Sequence, residues 1–278
     1  FAYTKPLAVV GNILDKENGY LTLLSTATRR PIDIVEISCP GARDAMFNMD
    51  DSKIFTTCQQ EPKGMAVIDV EARKEIKMVP IKGGRAGGMD PQGKYFMVSA
   101  SKSVHFFDSQ TAELVKTIKV PGGGGNFTCL KDGSKCYVGL RKANAVGVID
   151  MAKLELMKTI ETGPDANRLY LNPGNSRYGL FANEAGKSDI VSIIDTQLDV
   201  KVKDIWTGLG PHNVAFDPDG KFAVISTKKE NVATLVDTGS ADPNDWDVIT
   251  TDLDSGIQNN GVRWVPSPEA LKKALAQN

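Results

Sequence analysis

Several things are missing from this sequence, and each absence removes a class of function. No apolar run approaches the ~18–20 residues needed to span a membrane as a helix, and no signal-peptide pattern is present. A formal net charge of -1 leaves no basic excess, which argues against a general nucleic-acid binder. There are two histidines, His105 and His212, far apart in the chain, so a multi-histidine zinc or copper site is not expected. The four cysteines form neither CxxC nor CxxCH, which removes c-type haem attachment and the usual zinc spacings. A GxSxG elbow, a Walker loop, a dinucleotide fingerprint and an HExxH pair are also absent. The glycine-rich tract at 83–88, GGRAGG, does not open a helix and makes a weak phosphate cradle. The chain opens on Phe1 without Met, as expected of a processed or trimmed product.

What the sequence does contain is a repeat. Apolar runs end in aspartate as VID at Asp69, FFD at Asp108, VID at Asp150, IID at Asp195 and LVD at Asp237, with gaps of 39, 42, 45 and 42 residues. A period of ~40–45 residues holding several short strands marks a β-propeller. Each aspartate is expected to end a third strand and cap a turn by accepting nearby backbone N–H groups. A second turn recurs as MDDSK, DPQGK, KDGSK, NPGNS and DPDGK, between first and second strands. Five complete four-stranded units follow, at about 39–81, 82–120, 121–161, 162–206 and 207–251.

The chain ends supply the rest. Residues 6–12, 20–26 and 32–38 read as second, third and fourth strands, and 261–269 as the missing first strand. The two termini are therefore expected to share one blade, with Val9 and Trp264 in one sheet, since an unclosed ring exposes strand edges. The fold class is all-β: a single six-bladed propeller domain over 1–278 with antiparallel blades, seven blades being the alternative. SPEALKKALAQN, at the end, reads as a short helix, with Ser267 as N-cap and Pro268 in the first turn.

The segment GPHNVAFDPDGKFAVIST with VATLVD, from 210 to 237, resembles the YVTN-type β-propeller repeat, and the resemblance extends over nearly the whole chain. The consensus tetrapeptide survives only in altered forms such as CYVGL and FAVIST. The resemblance implies a periplasmic or cell-surface protein. More distant relatives include the propellers that carry haem d1, which implies a second reading: an enzyme or a cofactor-holding subunit of a redox complex.

In a propeller the first strand of each blade lines the channel, and ligands meet the face where the loops before it converge. Alignment of the repeats on the turn lysine puts Asp44, Arg85, Asn126, Arg168, His212 and Asn260 at one rim position, with Asn167 the alternative to Arg168. Two guanidiniums, two amides and an imidazole around a narrow mouth are suited to an anion, since arginine binds carboxylate or phosphate bidentately. Strand-entry positions near solvent are polar in any case, so the pattern has a structural explanation too. The residues favour a non-catalytic propeller that binds a partner protein or a small anionic ligand there. In the redox alternative His212 serves as axial ligand or acid/base group, and Arg85 and Arg168 hold the carboxylates of a haem d1-like or quinone cofactor. No catalytic or metal residues are assigned, and the cofactor is left open.

Cys129 and Cys136 flank LKDGSK, so a two-residue turn there would set them opposite each other, as a disulfide or as two small apolar residues. Cys39 and Cys58 are expected on one face, as a disulfide, as free thiols, or with His212 on a soft metal. A bridge would imply an oxidising compartment. His105, inside a third strand, is expected to be structural.

Overall fold

The computed structural model describes residues 1–230 and 232–254. Twenty-three strands follow one another as meanders. The first sheet holds β1 (Leu7–Gly11), β2 (Gly19–Ser25) and β3 (Arg30–Ile37). The second holds β4 (Ala42–Phe47), β5 (Lys53–Cys58), β6 (Gly64–Asp69) and β7 (Lys74–Pro80). The third holds β8 (Ala86–Met89), β9 (Tyr95–Ser99), β10 (Ser103–Asp108) and β11 (Leu114–Lys119). Next come β12 (Phe127–Cys129), β13 (Lys135–Leu140), β14 (Ala145–Asp150) and β15 (Glu155–Glu161). A further sheet holds β16 (Ala166–Leu171), β17 (Tyr178–Asn183), β18 (Ile190–Asp195) and β19 (Val200–Trp206), and the last β20 (Pro211–Phe216), β21 (Phe222–Thr227), β22 (Val232–Asp237) and β23 (Asp247–Asp254).

The fold is a six-bladed β-propeller. The five four-stranded blades match the five units read from the repeat, and β1–β3 match the three strands read at the N-terminus. The partner strand expected at 261–269, Trp264 within it, and the helix at 267–278 lie outside the described residues. The chain divides into two compact units, Phe1–Leu169 and Tyr170–Asn278, and each is treated by itself below.

Strand alternation builds the core. Neighbouring residues of a middle strand point to opposite faces, so each middle strand serves two sheets. In the first unit, Ile54 packs with Leu21, Leu23 and Val35 of the preceding sheet. Its neighbour Phe55 packs with Phe96 and Val98 of the following one, and the Phe55 and Phe96 rings stack at 5.1 Å. Met97 then faces Phe127 and Val138. In the second unit Leu180, Val191 and Ile193 meet Val214, Ile225 and Trp246 in the same way.

The repeating aspartates do what turn chemistry requires. Asp108 Oδ1 accepts from the Gln110 and Thr111 amides, Asp150 Oδ1 from Ala152 and Lys153, and Asp195 Oδ1 from Gln197 and Leu198. Asp69 and Asp237 each cap one amide. Four residues after each of the first four, the backbone takes positive φ at Arg73 (51°), Ala112 (59°), Leu154 (52°) and Asp199 (54°). None of these is glycine, so the caps hold side-chain-bearing residues in a region they rarely visit. Outer strands carry lysines along their edges, which discourages edge-to-edge pairing. Several also tie blade to blade: Lys77 Nζ donates to Ala112 O (2.9 Å) and Lys116 Nζ to Lys153 O (2.9 Å).

The inner hairpin turn shows one informative exception. Gly93, Gly133 and Gly220 occupy its left-handed position, at φ of 65°, 70° and 69°. In β4–β5 that place belongs to Asp51, at φ 55°. Its fully buried carboxylate accepts from the Tyr3, Thr4 and Lys5 amides (2.7, 2.6 and 3.1 Å) and from Thr4 Oγ1 (2.7 Å). A glycine would relieve the backbone but release the N-terminal segment. Burial works to raise the carboxyl's pKa, and the hydrogen bonds from Tyr3, Thr4 and Lys5 outweigh it, so the net shift is downward. A depressed folded-state pKa contributes stability above the unfolded pKa, lost as pH falls through the folded value. The Tyr3 and Thr4 amide proton shifts are therefore expected to titrate together below about pH 4. They should not titrate in Asp51→Asn; titration that persists in that variant would place the controlling group elsewhere.

Candidate functional site

The hairpin turns provide a structural ruler along the inner strands. The residue opening each turn pairs back across it: Asn48 with Lys53, Asp90 with Tyr95, Leu130 with Lys135, Asn172 with Tyr178 and Asp217 with Phe222. Four residues before these openings stand Asp44, Ala86, Asn126, Arg168 and Asn213. The turn lysine is a less uniform landmark. Lys53 and Lys135 are the paired residues, whereas Lys94 and Lys221 come one residue before theirs. Arg85 and His212 consequently precede the equivalent position by one, and a one-residue step in a strand reverses the side chain's face.

Three of the rim residues meet at one place. Asp44, Asn126 and Arg168 line a cavity of about 300 Å³ in the first unit, together with Met46, Gly87, Gly88, Met89, Pro91, Phe127, Thr128 and Cys129. Strand β8 is AGGM, and its Gly87, Gly88 and Met89 line the cavity. A Cβ on Gly87 would come within 2.6 Å of the Phe96 ring, and one on Gly88 within 3.1 Å of the Phe127 ring. Aromatic rings thus fill the space beside both glycines, and the two residues bring backbone to the wall. The GGRAGG tract does not open a helix; it leads into this strand.

The polar groups are held in place. Asp44 sits at a bulge in β4 with φ 51°. Its Oδ2 accepts from the Gly87 amide at 3.1 Å and lies 3.2 Å from Arg43 Nε. Arg43 Nη2 donates to Asn126 Oδ1 (3.2 Å), and Asn126 Nδ2 donates to Asn167 Oδ1 (3.0 Å). Thr128 Oγ1 donates to Leu169 O at 2.6 Å. Asn167 is buried and supports the network, and Arg168, an exposed residue, lines the cavity. Arg85 is turned elsewhere, with Nη1 donating to Gly124 O at 3.0 Å.

His212 belongs to the second unit. Its Nε2 lies 3.3 Å from Glu184 Oε1, the oxygen that also accepts from Lys228 Nζ. Beside it, Tyr170 Oη donates to Asn213 Oδ1 at 2.5 Å. In the same unit Asn183 Oδ1 and Ser188 Oγ are buried without a hydrogen-bond partner among the described residues. Asn260 lies outside the described residues. His105 is held between Ser103 Oγ (2.9 Å) and Thr117 Oγ1 (3.1 Å), with its pKa lowered by burial.

Both cysteine pairs are disulfides. Cys39–Cys58 joins the segment between β3 and β4 to the end of β5. Cys129–Cys136 joins directly opposed residues of β12 and β13, in the register their spacing implied. The Cys39–Cys58 bridge occupies both thiols that the soft-metal reading required. No group of three or more metal-ligating His, Cys, Asp or Glu side chains occurs among the described residues. No helix among them is long and apolar enough to cross a membrane.

No family model and no curated protein matches the sequence. Solved structures do. A Bacteroides fragilis protein provisionally assigned as a 6-phosphogluconolactonase is 16% identical, covers 94% of this chain and 84% of its own, and superposes with a TM-score of 0.71. The β-propeller domain of Myceliophthora thermophila Cps50 (Swd1) is 14% identical, with coverage of 96% and 88% and a TM-score of 0.69. Kuenenia stuttgartiensis hydrazine synthase is 16% identical, with coverage of 90% and 84% and a TM-score of 0.63. These proteins share its fold. At such identities the likeness carries no function across.

Proposed function

We propose that this protein is a non-catalytic β-propeller of the YVTN type, periplasmic or on the cell surface, that binds a small carboxylate-bearing ligand in the cavity beside Arg168. The observation that carries this reading is the convergence of Asp44, Asn126 and Arg168 on one cavity whose other lining includes Met46, Met89 and Phe127. A guanidinium and apolar side chains in one cavity suit an anion with a short hydrocarbon body. A protein partner offering its terminal carboxylate would meet the same chemistry. Two disulfides support the choice of an oxidising compartment.

The redox alternative assigns His212 a ligand or acid/base role. Its Nε2 already faces Glu184 Oε1, which also accepts from Lys228 Nζ, and this favours the first reading.

The test is calorimetric titration with 4-methylpentanoate at low ionic strength. Loss of a charge-assisted hydrogen bond costs about 1.5–3 kcal/mol, so Arg168→Gln is expected to weaken binding roughly 10- to 100-fold. Arg85→Gln should stay within about threefold, an effect too small for a lost charged contact. The reverse ranking, or no binding to the wild type, would overturn the reading.

A further inference from the structure

The same cavity carries a more specific inference, which rests on the ligand-binding reading above. Among its described lining residues, Asp44 and Arg168 bear the formal charges, and the charges are opposite. Asn126, also in the lining, spends its amide on Arg43 and Asn167, and Thr128 spends its hydroxyl on Leu169. Charged groups bind a ligand more strongly than an amide or hydroxyl does, so the charged pair sets the ligand's chemistry.

Asp44 is the informative member. It lines the cavity from a left-handed position at the bulge in β4. Its contacts are all on Oδ2, where the Gly87 amide and Arg43 Nε meet it. Oδ1 accepts no hydrogen bond among the described residues. A ligand carrying only a carboxylate would engage Arg168 and leave Asp44 Oδ1 without a donor, since Arg43 and the Gly87 amide meet Oδ2. Opposite charges in a partly dehydrated site attract more strongly than in water.

We infer that the cavity takes a small zwitterion of the α-amino acid class: its carboxylate on Arg168, its ammonium on Asp44 Oδ1, and its apolar side chain against Met46, Met89 and Phe127. An ammonium has three donors and no acceptor, which fits an acceptor-only carboxylate oxygen. Methionine and phenylalanine walls accept apolar groups of varied shape.

Three compounds separate this inference from the simpler anion reading: L-leucine, 4-methylpentanoate, which is leucine without its amino group, and isoamylamine, which lacks the carboxylate. Calorimetry on the full chain is expected to show leucine binding at least 10-fold tighter than either half. Asp44→Asn keeps an acceptor for the Gly87 amide and tolerates the positive φ. It should bring leucine down to the level of 4-methylpentanoate while leaving the latter's affinity within about twofold or improved, which also shows that the variant is folded. Arg168→Gln should weaken both leucine and 4-methylpentanoate. Equal or tighter binding of 4-methylpentanoate, still dependent on Arg168, overturns the zwitterion inference and leaves the anion reading standing. Binding of neither leucine nor 4-methylpentanoate overturns both.

Discussion

Asp195→Ala is expected to destabilise the second unit by about 2–3 kcal/mol, whereas the equivalent change at Asp108 should cost about 1 kcal/mol. The two aspartates share a motif and differ in surroundings. Both cap two turn amides. Asp108 does little more than that, at a partly exposed site. Asp195 is buried and also accepts from Arg177 Nε (2.9 Å) and Nη2 (2.6 Å). Arg177 lies over the Tyr178 ring, which meets the Trp246 ring edge-on at 6.0 Å. The arginine side chain is 40% exposed and can rehydrate, so the loss falls short of the ~3–5 kcal/mol of a fully buried pair. Burial pushes the Asp195 carboxyl's pKa up, and Arg177 with the turn amides pushes it down by more. The Asp195 contribution is thus present at neutral pH and lost as pH falls through the depressed folded value. Urea titration followed by tryptophan fluorescence measures the difference. Equal losses at the two sites would show that the ion pair contributes nothing beyond the turn cap.

Replacing both Cys39 and Cys58 by alanine is expected to cost about 3 kcal/mol, the chain-entropy value for a closed loop of this size. The bridged residues are 19 apart in sequence, against 7 for Cys129–Cys136, so the longer loop should matter more; the shorter is worth about 2 kcal/mol on the same scale. Position adds to length. Cys39 lies in the connector leaving β3, Cys58 ends β5, and both are fully buried. The bridge therefore fixes the path from one blade into the next. Thermal unfolding of the double variant, with reduced wild type as a control, reads the effect. A loss under about 1 kcal/mol would mean that core packing alone holds that connector.

The fold was legible because each blade repeats its punctuation. Aspartate closes the third strand in all five complete units, and the cap needs that side chain at that place. The positive-φ residues after it were not legible, because Arg73, Ala112 and Leu154 carry no glycine signal; the bonds from the preceding aspartate hold them there. The candidate site was half legible. Asp44, Asn126 and Arg168 were picked out as polar residues at strand entry, and the structure brings them to one cavity. Arg85 and His212 were grouped with them through the turn lysine, which shifts by one residue in their blades. Gly87 and Gly88 read only as part of a weak phosphate cradle; the Phe96 and Phe127 rings, which leave no room for a Cβ, are what require them. Met46, Met89 and Thr128 read as ordinary strand residues until the structure placed them around the cavity.

Where an anion comes to rest separates the cavity from the displaced rim residues Arg85 and His212. Crystals soaked in 4-bromobenzoate give a direct answer, because bromine scatters anomalously and marks its own position. The expected result is a single peak beside Met46, Met89 and Phe127, with the carboxylate density on Arg168. A peak at Arg85 or His212 with that cavity empty would contradict it.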